Sequence, residues 1–224
     1  MDKKFLAILG VIIIAFAGYL FVTKRSSTEN SANGTIATTS NHRVGAGNKK
    51  VTLLEYGDFQ CPACAGYYPI NKQIKEKYGY DITFEFKHFP IDSIHPNARA
   101  GHRAAEAASN QGKFFEMHDL LYENQQSWSP STNIKAIFDS YATQLGLDIA
   151  KYNADFPTEL TNEIINSDIT EGKSKGVSAT PTFFLNGVKL NNDELRSLDQ
   201  FSSLIDTEIA RLAAPDAASE TTGL

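Results

Sequence analysis

The spacing of apolar and polar positions changes character several times along the chain, and each change predicts a different element. Residues 5–22 (FLAILGVIIIAFAGYLFV) form an uncharged run of 18 residues. As a helix it would be about 27 Å long, close to the hydrocarbon thickness of a bilayer. Residues 26–48 are rich in Ser, Thr, Asn and Gly and hold almost no large apolar side chain, which predicts a flexible tether. Residues 51–56 (VTLLEY) are apolar on both faces except at Glu55, the pattern of a central strand. A helix follows, with Pro62 at a first-turn position and Tyr67, Tyr68, Ile70, Ile74 and Tyr78 at helical spacing. Pro69 predicts a kink inside it, and Gly79 ends it. Residues 82–89 alternate as a second strand. A helical crossover between the two strands implies parallel pairing.

From about residue 92 to 176 the period is helical. Residues 97–110 are alanine-rich, Gln111-Gly112 interrupts them, and amphipathic helices follow from Lys113 and from Ile134 to Leu145, with two more over 148–156 and 161–175. Trp128-Ser129-Pro130 reads as a loop between them. Residues 183–185 and 188–190 flank Asn186-Gly187, a hairpin signal because Asn-Gly supplies both positive φ values of a type I′ turn. The last helix is expected from an N-cap at Asp193, with Leu198, Phe201, Ile205, Ile209 and Leu212 on one side. Residues 214–224 read as a frayed tail.

The first run, flanked by Lys3, Lys4, Lys24 and Arg25, is read as an uncleaved signal anchor rather than a cleaved signal peptide. Cleavage after Ala15-Phe16-Ala17 would leave a strongly apolar new terminus. Beyond residue 48 the chain carries 16 basic and 24 acidic residues, and an acidic domain without a basic stripe argues against nucleic acid. Two cysteines cannot build a disulfide framework, so a packed core must supply the stability.

Those two cysteines, Cys61 and Cys64, sit two residues apart where the first strand gives way to its helix. That junction favours redox chemistry. The positive end of the helix and its unpaired N–H groups stabilise a thiolate at Cys61, and the thiolate is the attacking species in disulfide exchange. Cys64, one turn on, can close or resolve the disulfide. A structural zinc site would need further ligands, and His88, His95, His102 and His118 are not spaced as a local pair, so no metal and no cofactor is expected. The aromatic and methionine positions read as core.

The element order and four sequence islands resemble the thioredoxin fold with a helical insertion, and in detail the DsbA-like thiol–disulfide oxidoreductases of the membrane-anchored, BdbD-like branch. The islands are Phe59-x-Cys-Pro-x-Cys, Lys87-His88-Phe89-Pro90, residues 111–118 (QGKFFEMH) and residues 180–184 (TPTFF). The resemblance covers residues 49–213 and implies an α/β domain over 49–214. Its thioredoxin core would be 49–90 and 177–213, its insertion 91–176, and a transmembrane helix and linker would precede it. It implies that Thr180-Pro181 is a cis-proline loop that binds extended substrate, and that Glu55 is a buried acid that serves Cys64. Lys87 would support Glu55 as an ion-pair partner, Pro62 and Ala63 would shape the exposed cysteine, and His88 and His118 would be core or hydrogen-bonding residues. Ala63 departs from the histidine of strongly oxidising relatives, a change expected to raise the Cys61 pKa and make the pair less oxidising. The implied activity is disulfide formation in exported proteins with free thiols, reoxidised by a membrane partner of DsbB or VKOR type. The domain would then lie outside the cytoplasm on a single-pass anchor. A reductase or isomerase of the same fold, a peptide-binding holdase, and a metal carrier are the alternatives.

Overall fold

A computed structural model describes residues 39–214. The expected anchor at residues 5–22 lies outside the described residues. Among those described, no helix is long and apolar enough to cross a membrane.

The sheet has five strands: β1 (His42–Val44), β2 (Val51–Gly57), β3 (Ile82–His88), β4 (Thr182–Leu185) and β5 (Val188–Lys189), in the order β1-β3-β2-β4-β5. β2 and β3 run parallel, with Glu55 opposite Phe86, because α1 (Pro62–Tyr78) makes the crossover between them. β4 returns antiparallel on the other edge of β2, with Glu55 opposite Phe183. The β4–β5 hairpin turns at Asn186 (φ 47°) and Gly187 (φ 83°), as the Asn-Gly pair predicts. Six helices occupy the insertion: α2 (Ala98–Ser109), α3 (Phe114–Glu123), the single turn α4 (Gln125–Trp128), α5 (Ile134–Gln144), α6 (Ile149–Asp155) and α7 (Glu159–Ser174). α8 (Leu198–Ala213) closes the chain against α1.

Three expectations change. Ordered structure begins before residue 49. β1 lies within the stretch assigned to the tether and pairs antiparallel with β3. Its sequence carries no apolar alternation because it is held by polar burial: Ser40 and His42 are each 7% exposed. Helix α8 is capped by Ser197, whose hydroxyl accepts from Gln200 N, and Asp193 lies instead in a 3-10 turn capped by Asn191. Trp128 is the last residue of α4 rather than a loop residue, buried with its indole N–H on the Leu121 carbonyl at 2.8 Å. Pro69 lies inside α1, where the sequence places it.

The main core joins Leu53, Phe84 and Phe86 of the sheet to Ile74 of α1 and to the alanine face of α2 (Ala104, Ala105, Ala107, Ala108). Small side chains there let α2 approach closely, and Phe59 sits at the centre, stacked on Phe86 at 5.1 Å. Gly57, where β2 ends, has no room for a side chain: a Cβ would stand 2.4 Å from the Phe86 ring.

Candidate active site

The end of β2 delivers residues 58–61 to the start of α1. Cys61 is the N-cap of α1, in extended conformation, and Pro62 takes the first helical position, where its missing N–H costs nothing. Cys61 and Cys64 are both free thiols. Cys61 is 7% exposed and Cys64 fully buried. The geometry splits their acidities. The Cys64 thiol beside Cys61, then Thr180 and the first-turn N–H groups of Cys64 and Ala63, hold the Cys61 thiol down to about 5. Burial first, then the Cys61 sulfur and the Glu55 carboxyl, push Cys64 well above an ordinary thiol. One sulfur is therefore ionised at neutral pH and its partner keeps its proton. The backbone N–H of Asp58 points at Cys64 Sγ from 3.5 Å.

The peptide bond between Thr180 and Pro181 is cis. The Thr180 carbonyl lies 3.4 Å from Cys61 Sγ, across 119 residues of sequence, and accepts from the thiol when Cys61 is protonated. A groove of about 460 Å3 opens along this loop, lined by Ala63, Tyr67, Ile70, Pro181 and Arg196 among others. Its floor is held in place by Tyr67, whose hydroxyl donates to Asn192 O at 3.0 Å, and by Asn192, whose amide donates to Pro181 O at 2.5 Å. Ala63 forms part of the groove wall, so a small residue here widens the approach to Cys61.

Glu55 lies beneath the pair, 1% exposed. Burial raises its carboxyl to about 8, and its closest electrostatic relief is Lys75 on α1. The amide of Asn71 donates to its Oε2 at 2.9 Å. Lys87, the expected partner, is elsewhere. Its ammonium pairs with Asp168 at 3.3 Å, also reaches Glu171 at 3.5 Å, and donates to the Ser40 carbonyl. The reason is strand alternation: Lys87 lies one residue out of phase with Phe86, the residue paired with Glu55, so its side chain leaves the opposite face of the sheet.

Several residues that hold the site carry no motif. The Asp58 carboxylate accepts from Gln60 N at 2.8 Å, from Ile91 N at 2.9 Å and faces His95 Nδ1 at 2.7 Å, pinning the active-site turn to the loop after β3. Gln125 of α4 donates to both the Phe59 and Cys61 carbonyls, at 2.8 and 2.9 Å. Gln60 in turn donates to Ser129 O at 3.0 Å. The inserted helices thus clamp the turn that carries Cys61. Position gives some warning of Asp58, a polar residue at a strand end, but none of Gln125. His118 is buried, with Nδ1 2.8 Å from Asp119 Oδ1, and His88 is buried among His102 and Glu106.

An ionised N-cap cysteine, a buried partner thiol, a buried acid and a cis-proline loop define a protein thiol–disulfide oxidoreductase. Residues 37–207 match the family model described as Thioredoxin, and the chain belongs to that family. Its fold is DsbA-like. Oxidised BdbD from Bacillus subtilis superposes with a TM-score of 0.66 at 20% identity, over 76% of this chain and 93% of that one. The α-DsbA1 of Wolbachia pipientis superposes at 0.67 with 20% identity, over 78% and 94%. A Na(+)/H(+) antiporter NhaA 1 from Salinispora arenicola is 35% identical over 146 residues, 65% of this chain. The aligned stretch is 22% of that protein's length, so the chain spans about a fifth of the relative it matches.

Proposed function

We propose that this chain is a membrane-tethered, extracytoplasmic thiol oxidase that introduces disulfide bonds into exported proteins. The observation that supports it most is the divided acidity of Cys61, at about 5, and Cys64, well above the ordinary thiol value. A stabilised Cys61 thiolate is a good leaving group and favours the dithiol form, so the oxidised pair readily accepts electrons.

In the oxidised enzyme a substrate thiolate attacks Cys61 Sγ. The Cys61–Cys64 bond breaks, a mixed disulfide forms on Cys61, and Cys64 leaves as a thiolate. Glu55, protonated at neutral pH because burial holds its pKa at about 8, donates a proton to Cys64. A second substrate thiolate then attacks the substrate sulfur of the mixed disulfide and expels Cys61 as its thiolate. The substrate leaves with one disulfide and the enzyme holds its two electrons as a dithiol. A membrane redox partner of DsbB or VKOR type removes them. Extended substrate lies along the Thr180–Pro181 loop, and residues 5–22 anchor the domain. The match to antiporters covers a minor part of their length and carries no ion transport to this chain.

The reduction potential of the pair, measured by equilibration with glutathione, tests the direction. The oxidase reading expects a value well above thioredoxin's, which is about −270 mV. A value at or below that figure assigns the chain to the reductases instead. Cys61→Ser abolishes turnover, and Cys64→Ser, whose Cys61 thiolate attacks a substrate disulfide and expels one substrate thiolate with no second enzyme thiol to resolve the product, accumulates mixed disulfides. Failure to oxidise any dithiol peptide while still binding unfolded chains would leave a holdase.

A further inference from the structure

Away from the thiols, four side chains from three elements meet in the core. His42 of β1, His88 at the end of β3, and His102 and Glu106 of α2 are all buried, at 7%, 0%, 0% and 4% exposure. His88 Nε2 stands 2.5 Å from Glu106 Oε1, and His42 Nε2 contacts the same oxygen. The three ligand atoms lie within 4.8 Å of one another. His88 Nδ1 meets His102 Nδ1 at 2.6 Å.

Two features of this cluster go unused by thiol chemistry. Glu106 is a buried carboxylate whose side-chain partners are two imidazoles, and among the described residues no Lys or Arg pairs with it. The donor set is also specific. Two imidazole nitrogens and one carboxylate oxygen form the three-ligand set of open zinc sites, whereas calcium takes six to eight oxygens.

We propose that His42, His88 and Glu106 bind one divalent transition-metal ion, zinc by its chemistry. Zn–N bonds of 2.0–2.1 Å place donor atoms about 3.3 Å apart, so the contacts to Glu106 open by about 1 Å to admit the ion. His102 serves as the outer partner: His88 turns its Nε2 lone pair to the metal and donates Nδ1–H to His102 Nδ1. His102 then carries its proton on Nε2, which forgoes only the long 3.4 Å contact from Phe59 N. The ion neutralises Glu106 and fastens the short edge strand β1, the first strand of the described domain, to β3 and α2.

The test uses the oxidised full chain in detergent, because its disulfide removes the thiols as competing ligands. After EDTA treatment the chain is titrated with Zn2+, and separately with Co2+ and Ca2+. Uptake of one equivalent of zinc, a visible cobalt spectrum of low coordination number and a zinc-dependent rise in Tm support the site. Glu106→Gln, which preserves shape, and His42→Ala each weaken zinc at least about a hundredfold, and His102→Phe about tenfold. Should His42→Ala fail to fold, Glu106→Gln and the wild-type cobalt spectrum still decide. Three results overturn the proposal: no uptake and no Tm shift, uptake of equal affinity in Glu106→Gln, or calcium bound as tightly as zinc.

Discussion

Asn71 donates to Glu55 at 2.9 Å, from α1 down onto β2, and that bond holds the acid directly beneath the cysteine pair. The other carboxyl oxygen, Oε1, is buried with no partner among the described residues. A carboxyl so placed is stable as the neutral acid and costly as the anion.

A pH-dependent stability follows from that burial. The pKa of Glu55 is raised from 4.5 to about 8 by folding. The unfolded state therefore gives up this proton first, so the contribution is fully present below pH 4.5 and is lost as pH rises through 8. Urea unfolding of the oxidised protein, in which Cys61 does not titrate, isolates the effect. The wild type loses stability between those limits, and Glu55→Gln removes the decline. The same variant slows the exchange step in which Cys64 leaves by about a hundredfold.

The Cys61 thiolate is visible directly. Absorbance at 240 nm of the reduced protein, less that of the oxidised form, should rise with a midpoint near pH 5. Cys64→Ala keeps that titration in view while removing the neighbouring donor that contributes most to it, so its midpoint moves upward. A wild-type midpoint at the ordinary thiol value would remove the basis of the oxidase reading.

Lys87 belongs to a structural network, and its replacement separates stability from catalysis. The ammonium is 4% exposed and its Asp168 partner 0%. Lys87→Met leaves Asp168 buried without its cation and costs about 3–5 kcal/mol of folding stability. The folded fraction keeps its exchange rate, because Glu55 is served by Asn71 and Lys75. A drop in rate matching that of Glu55→Gln would place Lys87 in the proton path after all.

Gln125 couples the inserted helices to the thiol. Gln125→Leu strands the Phe59 carbonyl in the interior, while the Cys61 carbonyl keeps the Ala65 N–H at 3.2 Å, and lowers stability by about 1–3 kcal/mol. Loosening of the turn that presents Cys61 should also shift the 240 nm midpoint. An unchanged midpoint in a folded Gln125→Leu protein shows that α4 supports the fold alone.

Local order was legible along much of the chain because its signals are local. The Cys-x-x-Cys pair lies in one turn, Pro62 suits a first helical position, Asn186-Gly187 suits positive φ, and the apolar runs of β2 and β3 need both sheet faces covered. Within the domain, the succession of strands and helices could be read from the hydrophobic pattern and its turn signals. Burial of Glu55 was implied by the family resemblance, not by the strand pattern alone. Strand β1 was not readable, since three residues with no apolar alternation owe their pairing to the open edge of β3.

Side-chain partnership was decided by tertiary structure. Glu55 and Lys87 look adjacent on neighbouring strands, yet alternation sends Lys87 through to the far face and leaves Asn71, on the covering helix, as the bonded partner. His42 and Glu106, 64 residues apart, share no spacing pattern and meet only because β1 joins the sheet beside α2. Covalent order dictated which groups this protein owns and where its backbone turns; the packing of strands against helices dictated which of those groups lose water together and which hydrogen bonds they make there, and the two together shift their acidity.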